Sequence, residues 1–268
     1  MQLSYIILSS LACMAAATPI EKRHLSPWPA SIRTYFSAVS SRIAAIRAST
    51  TPTDFPTCSF SSAKLPNSSL PKPSEGLVPY HIAVGRGTQN YTCDTTNPSL
   101  PPKAAGAIAI LYNVSCLAGT NPYMSSLVPA AALSVPTPQN GHTLFPAQSI
   151  TSGHHYFSDL TTATFNLHTE LANYGITFNK KIANVTAPAS NPGGVCNKGA
   201  DGSKPVPWLK LQTQTPNGDV TPEDDRGGVK EIYRVNTAGG AAPATCMGQK
   251  AKFEVQYAAE YWFFGTPS

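Results

Sequence analysis

The densest group of chemically capable side chains in this 268-residue chain is His154-His155-Tyr156-Phe157, with Asp159 close behind. An imidazole oriented by a carboxylate can take and return a proton, so His155 with Asp159 is the pair on which general acid–base chemistry would rest. Neighbouring histidines on a strand point to opposite faces, and at most one of the two serves a given site. His142, His168 and Glu170 are the other ligand-type residues of this region, yet no His-x-x-x-His or comparable spacing occurs. No metal site is expected from such a pattern. Ser203 closes Gly199-Ala200-Asp201-Gly202-Ser203, which has the composition of a β-turn and lacks the Gly-x-Ser-x-Gly elbow that would lift a serine hydroxyl. Glu254 and Glu260 share one face of a strand at a separation of about 20 Å, too far to act as paired carboxylates. Arg234 is expected to form a salt bridge with one of these acids or with Glu231.

Aromatic residues supply a second chemistry. Tyr257, Tyr261 and Phe263 recur at period two and read as core. Tyr91, Tyr156, Trp208 and Trp262 sit among polar neighbours instead, and would line a groove that stacks on sugar rings or holds a small apolar ligand.

The elements that must position these residues read mostly as strands. Ile108, Ile110, Tyr112 and Val114 share a face, as do Tyr80, Ile82 and Val84, while Ile176, Phe178 and Ile182 begin a third strand interrupted by Lys180. Trp208, Leu209 and Leu211 mark another. Phe253, Val255, Tyr257, Ala259, Tyr261 and Phe263 alternate with Lys252, Glu254, Gln256, Ala258, Glu260 and Trp262, which predicts a long half-buried antiparallel strand. Glu231 to Val235 precede it and Gly239-Gly240 lies between, so a hairpin or bulged pair is expected. With 25 prolines and 19 glycines punctuating the chain, the fold class is all-β: a single antiparallel sandwich or barrel.

Ahead of the strands, Met1 to Ala17 reads as a secretory signal peptide and Lys22-Arg23 as the end of a pro-segment over 18–23. Residues 24–75 hold one N-terminal amphipathic helix, with Ile32, Phe36, Val39, Ile43 and Ile46 at helical spacing, and then a Ser/Thr/Pro-rich linker wrapping over the core. Residues 76–268 form the β domain. No later segment reaches the roughly 20 apolar residues of a membrane span. The formal charge of +5 is spread without a Lys/Arg run, which gives no footprint for nucleic acid.

An exported chain oxidises its thiols. With Cys13 removed in the signal, two bridges and one odd thiol are expected among Cys58, Cys93, Cys116, Cys196 and Cys246. The favoured pairing joins Cys93 to Cys116, which close a short loop, and Cys196 to Cys246, leaving Cys58 free. Four sequons, at Asn67, Asn90, Asn113 and Asn184, mark glycosylation sites on solvent-facing edges or loops.

Five segments together carry a family resemblance: "VGRGTQNYTC" (84–93), "GHHYF" (153–157), "VPWLKL" (206–211), "IYRVNTAGG" (232–240) and "YAAEYWFFG" (257–265). In order and spacing they resemble a DUF3455-like domain-of-unknown-function family found mainly in secreted fungal proteins, over roughly Gly76 to Gly265. The resemblance implies no activity and transfers no catalytic residue. Such proteins often carry a malate dehydrogenase label, which the residues oppose. A dinucleotide site needs a glycine-rich turn between a strand and a helix, with alternating βαβ units around it. Gly85-Arg86-Gly87-Thr88-Gln89-Asn90 lacks the third glycine, and no helical pattern follows.

The sequence therefore leads to a secreted, glycosylated, disulfide-bearing binding protein without cofactor, directed at a cell-wall glycan, a host component or a small apolar ligand. The alternative is a cofactor-free enzyme using His155.

Overall fold

A computed structural model describes residues 59–60, 62–134, 151–169, 173–214 and 228–266. The signal peptide, the pro-segment, the N-terminal helix, Cys58, His142 and Glu170 lie outside the described residues.

Of the two architectures left open, the chain adopts the barrel. Eight antiparallel strands follow one another around it: β1 (Val78–Thr92), β2 (Lys103–Asn113), β3 (Thr151–Phe157), β4 (Ala163–His168), β5 (Asn173–Val185), β6 (Trp208–Thr213), β7 (Val229–Gly239) and β8 (Lys252–Gly265). The ring closes where β1 pairs with β8, from Val78 opposite Gly265 to Thr92 opposite Lys252. Closure leaves no edge strand to template association. The Glu231–Val235 segment and the aromatic C-terminus are hydrogen-bonded neighbours with two register shifts, as the bulged pair requires.

Alternation assigns each strand an inner and an outer face. The inner face carries Ala83, Gly85 and Gly87 of β1, Ala107, Ala109 and Leu111 of β2, Phe165 and Leu167 of β4, and Tyr257, Ala259, Tyr261 and Phe263 of β8. Eight strands enclose a space that side chains alone can fill. The large rings of β8 occupy it, so the opposing positions must be small. A Cβ on Gly85 would meet Tyr261 Cε2 at 2.7 Å. Gly85 and Gly87 thus lie within a strand packed against aromatic rings, far from the turn that a dinucleotide would need.

The outer face is apolar too along one side of the barrel. Ile82, Val84, Tyr112, Val235, Ala258, Trp262 and Phe264 are buried there beneath two helices, α1 (Ser115–Thr120) and α2 (Pro122–Ser134), and beneath Phe60, Leu65 and Leu70 of the linker. The helices, which the sequence reading missed, connect β2 to β3. Asn121 accepts from the Met124 N–H at 3.0 Å and Pro122 follows it, a strong helix-starting pair. Near the other end, Arg86 Nε donates to the Ala132 carbonyl at 3.1 Å, so a cation meets the negative end of α2. This double cover corrects the half-buried reading of β8, whose residues from Tyr257 to Gly265 are buried on both faces. A bulge between Pro79 and His81 also separates Tyr80, which packs toward the inner cluster, from Ile82 and Val84.

The described part of the linker is irregular and clipped to the barrel. Glu231 accepts from the Ser74 hydroxyl at 2.6 Å and backbone at 3.1 Å, and pairs with Lys210 at 3.0 Å. Lys210 in turn donates to the Lys72 carbonyl and Tyr233 to that of Pro71. Cys93 is bonded to Cys246, which fastens the end of β1 to the β7–β8 loop and corrects the expected Cys93–Cys116 and Cys196–Cys246 pairing. Cys116 and Cys196 are disulfide-bonded as well. Sequence proximity had favoured the short loop, but β2 starts ten residues beyond Cys93 and carries Cys116 to the opposite end of the barrel. No described helix is long and apolar enough to cross a membrane.

Candidate functional site at one mouth of the barrel

His155 and Asp159 do not meet. His155 is an inward-facing residue of β3, opposite Ala109 on one side and Phe165 on the other. Its ring stacks on Phe165 at 4.2 Å, and Nδ1 lies 2.9 Å from the Thr164 carbonyl. Burial depresses its pKa to about 4, keeping the ring neutral. Asp159 is exposed in the β3–β4 turn, where its carboxylate accepts from the Thr161 N–H and hydroxyl and from the Thr162 N–H. These bonds hold it down at about 2. The carboxylate organises a turn, and among the described residues His155 has no acidic partner.

The four aromatic candidates are also dispersed. Trp208 and Trp262 are buried on the outer face with the helix-covered cluster, Tyr156 is exposed on the outside of β3, and Tyr91 stands at the end of β1. They form no common groove. Nor does Arg234 find an acid among the described residues. Glu231 belongs to Lys210 and the linker, and Glu260 lies on the outer face beneath α2, hydrogen-bonded to Ser125 and, at 2.6 Å, to Asn236. Glu254 is exposed.

Arg234 points into the barrel. Its register partners are Leu209 on β6 and Tyr261 on β8, both inner-face residues. Because Leu209 is the second residue of β6, the guanidinium sits near the mouth ringed by the 93–102, 158–162, 186–207 and 240–251 loops. There its Nη2 donates to the Pro207 carbonyl at 3.0 Å. The guanidinium also bonds the Tyr261 hydroxyl and acts electrostatically on Tyr91, Tyr257 and His155. The Tyr257 and Tyr261 hydroxyls are 3.0 Å apart, and Tyr91 donates across the mouth to the Gly240 carbonyl at 2.7 Å.

One donor of this group, Arg234 Nε, has no acceptor in hydrogen-bonding geometry among the described residues, while the Gln89 side chain bonds the Tyr257 hydroxyl. Asp94, Asp159, Asp201 and Glu254 are exposed around this end, and none is in an ion pair with Arg234. A buried charge ordinarily has a counter-charge and buried donors ordinarily have acceptors, because each unpaired group costs on the order of 1 to 3 kcal/mol or more. This corner of the barrel is short of both.

Arg234, Gln89, Tyr257 and Tyr261 escaped the sequence reading as site residues. A signal was present: Arg234 alternates in phase with Ile232 on an inward, apolar face. Each of the five segments that carried the resemblance contributes here, with Gln89 and Tyr91, His155, Leu209, Arg234, and Tyr257 with Tyr261. The profile of a family described as "Protein of unknown function (DUF3455)" matches residues 73–265, and the chain belongs to that family. Neither a curated protein nor a solved structure matches the chain.

Proposed function

We propose that this DUF3455 protein is a secreted, glycosylated binding protein that takes a small, largely apolar ligand at the Arg234 mouth of its barrel. One observation carries the reading: a guanidinium sits buried toward an end of a closed barrel with no carboxylate paired to it among the described residues and with a donor that the protein leaves unused. Ligand sites are mainly apolar with a few convergent polar groups, and here Leu209, Phe157 and Ala241 stand half-buried around those groups. Of the three ligand types that the sequence suggests, a glycan is the least supported, since Tyr156, Trp208 and Trp262 form no stacking strip. An acid–base enzyme built on His155 loses support because its carboxylate is engaged in the β3–β4 turn.

Export is supported by the signal-like N-terminus, the sequons and the disulfides. The test is native mass spectrometry of the protein recovered from culture medium. The expected result is a chain cleaved near its N-terminus, carrying hexose-rich mass and a non-covalent small-molecule adduct. Retention inside the cell, or a protein that never yields an adduct from any source, contradicts the proposal.

A further inference from the structure

We propose that the ligand at the Arg234 mouth is a monocarboxylate that accepts from Arg234 Nε. The inference rests on the binding reading above and narrows it to a chemical class.

The argument is one of matching charge and acceptors. The Arg234 guanidinium is nearly buried, with 9% of the residue's surface exposed. The described residues place no carboxylate beside it. Moreover, the unused group, Arg234 Nε, is a donor, so a ligand that itself brought donors would leave the deficit as it stands. The nearby tyrosine hydroxyls do not supply the missing negative charge, since burial raises the pKa values of Tyr91, Tyr257 and Tyr261 and keeps them protonated. A carboxylate supplies one negative charge and two coplanar oxygens, a shape that suits a guanidinium. A phosphate dianion would replace an uncompensated positive charge with an uncompensated negative one in a low-dielectric corner. The half-buried rim of Phe157, Leu209 and Ala241 is apolar, so the remainder of the ligand is hydrocarbon-like. A free fatty or aromatic acid has this form, and so does the C-terminus of an apolar peptide.

Isothermal titration of the full secreted chain with hexanoate, hexanamide, inorganic phosphate and an acetylated Ala-Ala-Phe peptide, as free acid and as amide, tests the assignment. Hexanoate or the free-acid peptide is expected to bind at least about tenfold more tightly than its own amide and than phosphate. Which of the two acids binds tells a small free acid from a chain terminus. Arg234→Met and, separately, Arg234→Gln should each weaken the acid by about tenfold or more while leaving the amide unchanged. Arg234→Gln keeps the test open if Arg234→Met fails to fold. Equal binding of acid and amide, or an affinity for acid that neither substitution changes, overturns the carboxylate assignment and leaves the small-ligand reading in place. Absence of binding by every probe overturns the assignment, and the adduct measurement then decides the underlying reading by itself.

Discussion

At the scale of single residues, chemical capability and chemical use part company. His155 has the side chain of a proton shuttle, but the fold spends it as a flat polar ring stacked on Phe165. Replacing it with alanine opens a cavity in the barrel and should cost about 2 to 4 kcal/mol, whereas Asp159→Ala should disturb only a surface turn. In a double-mutant cycle followed by urea denaturation, the two losses are expected to add; a clear coupling would mean that the pair interacts after all. The sequons separate in the same way. Asn67 and Asn184 are exposed, while Asn113 stands opposite the inward Ala83 and accepts from the Ser115 N–H at 2.9 Å. Glycopeptide mapping is therefore expected to find sugar at Asn67 and Asn184 and none at Asn113. An occupied Asn113 would contradict that placement. Arg234 shows what sequence alone conceals. In a charge-poor chain with several glutamates nearby in sequence, a salt bridge is the natural reading, and only the register of β7 against β6 and β8 reveals that those acids stand on the opposite face.

At the scale of elements, the strands were legible and their cover was not. Period two in β1, β2, β7 and β8 follows from the pleat, so faces could be sorted from the sequence. Which face is inside could not, because Ile82, Val84 and Tyr112 lie outside under α1 and α2, and the inside of β1 and β2 holds alanine and glycine with Leu111. The helical segment itself is short, rich in small residues and interrupted by Pro129, which hides its periodicity. Its attachment is polar at a buried point. Ser125 of α2 and Asn236 of β7 both donate to Glu260, a fully buried carboxyl whose pKa desolvation raises. Ser125→Ala leaves a buried acceptor under-satisfied and should cost about 1 to 3 kcal/mol in chemical denaturation, with hydrogen exchange accelerating in 115–134 before the barrel strands. The disulfide pairing escaped for a topological reason, since loop length says nothing about which barrel end a cysteine reaches. Loss of the Cys93–Cys246 bond, produced by Cys93→Ser together with Cys246→Ser, is expected to cost about 2 to 5 kcal/mol. Exchange protection should fall first near the end of β1 and in 240–251; a loss centred on α1 would instead fit the rejected pairing.

At the scale of the whole molecule, buried titratable groups set the response to pH. His81 lies 3.0 Å from the Ser152 hydroxyl and 3.2 Å from that of Ser115 and stacks on Tyr174, and burial depresses it to about 3. His155 behaves alike at about 4. Unfolding lets both rings protonate near pH 6.5, so the stability they permit is complete above that value and is lost as pH falls toward their folded values. Glu260 acts in the opposite sense: its folded pKa is raised, so its contribution is complete below about pH 4.5 and declines as pH rises through the folded value. Between about pH 4.5 and 6.5 two histidines oppose one glutamate, and stability should climb toward a maximum near neutrality. Denaturation midpoints measured from about pH 4 to 8 check this. Glu260→Gln removes the opposing slope and should steepen the climb above about pH 4.5, and a stability maximum near about pH 4 would show that the histidines are not held neutral.

Arg234 is a buried cation with a donor that has no acceptor among the described residues, and its own side-chain resonance reports on it most directly. In protein labelled with nitrogen-15 at arginine, the Nε–H signal of Arg234 should shift on addition of hexanoate and stay in place with hexanamide, while that of Arg86, bonded to the Ala132 carbonyl on the outer face, does not respond to either. An Arg234 signal indifferent to hexanoate, or one that moves equally with the amide, would contradict the claim that this guanidinium awaits an anion.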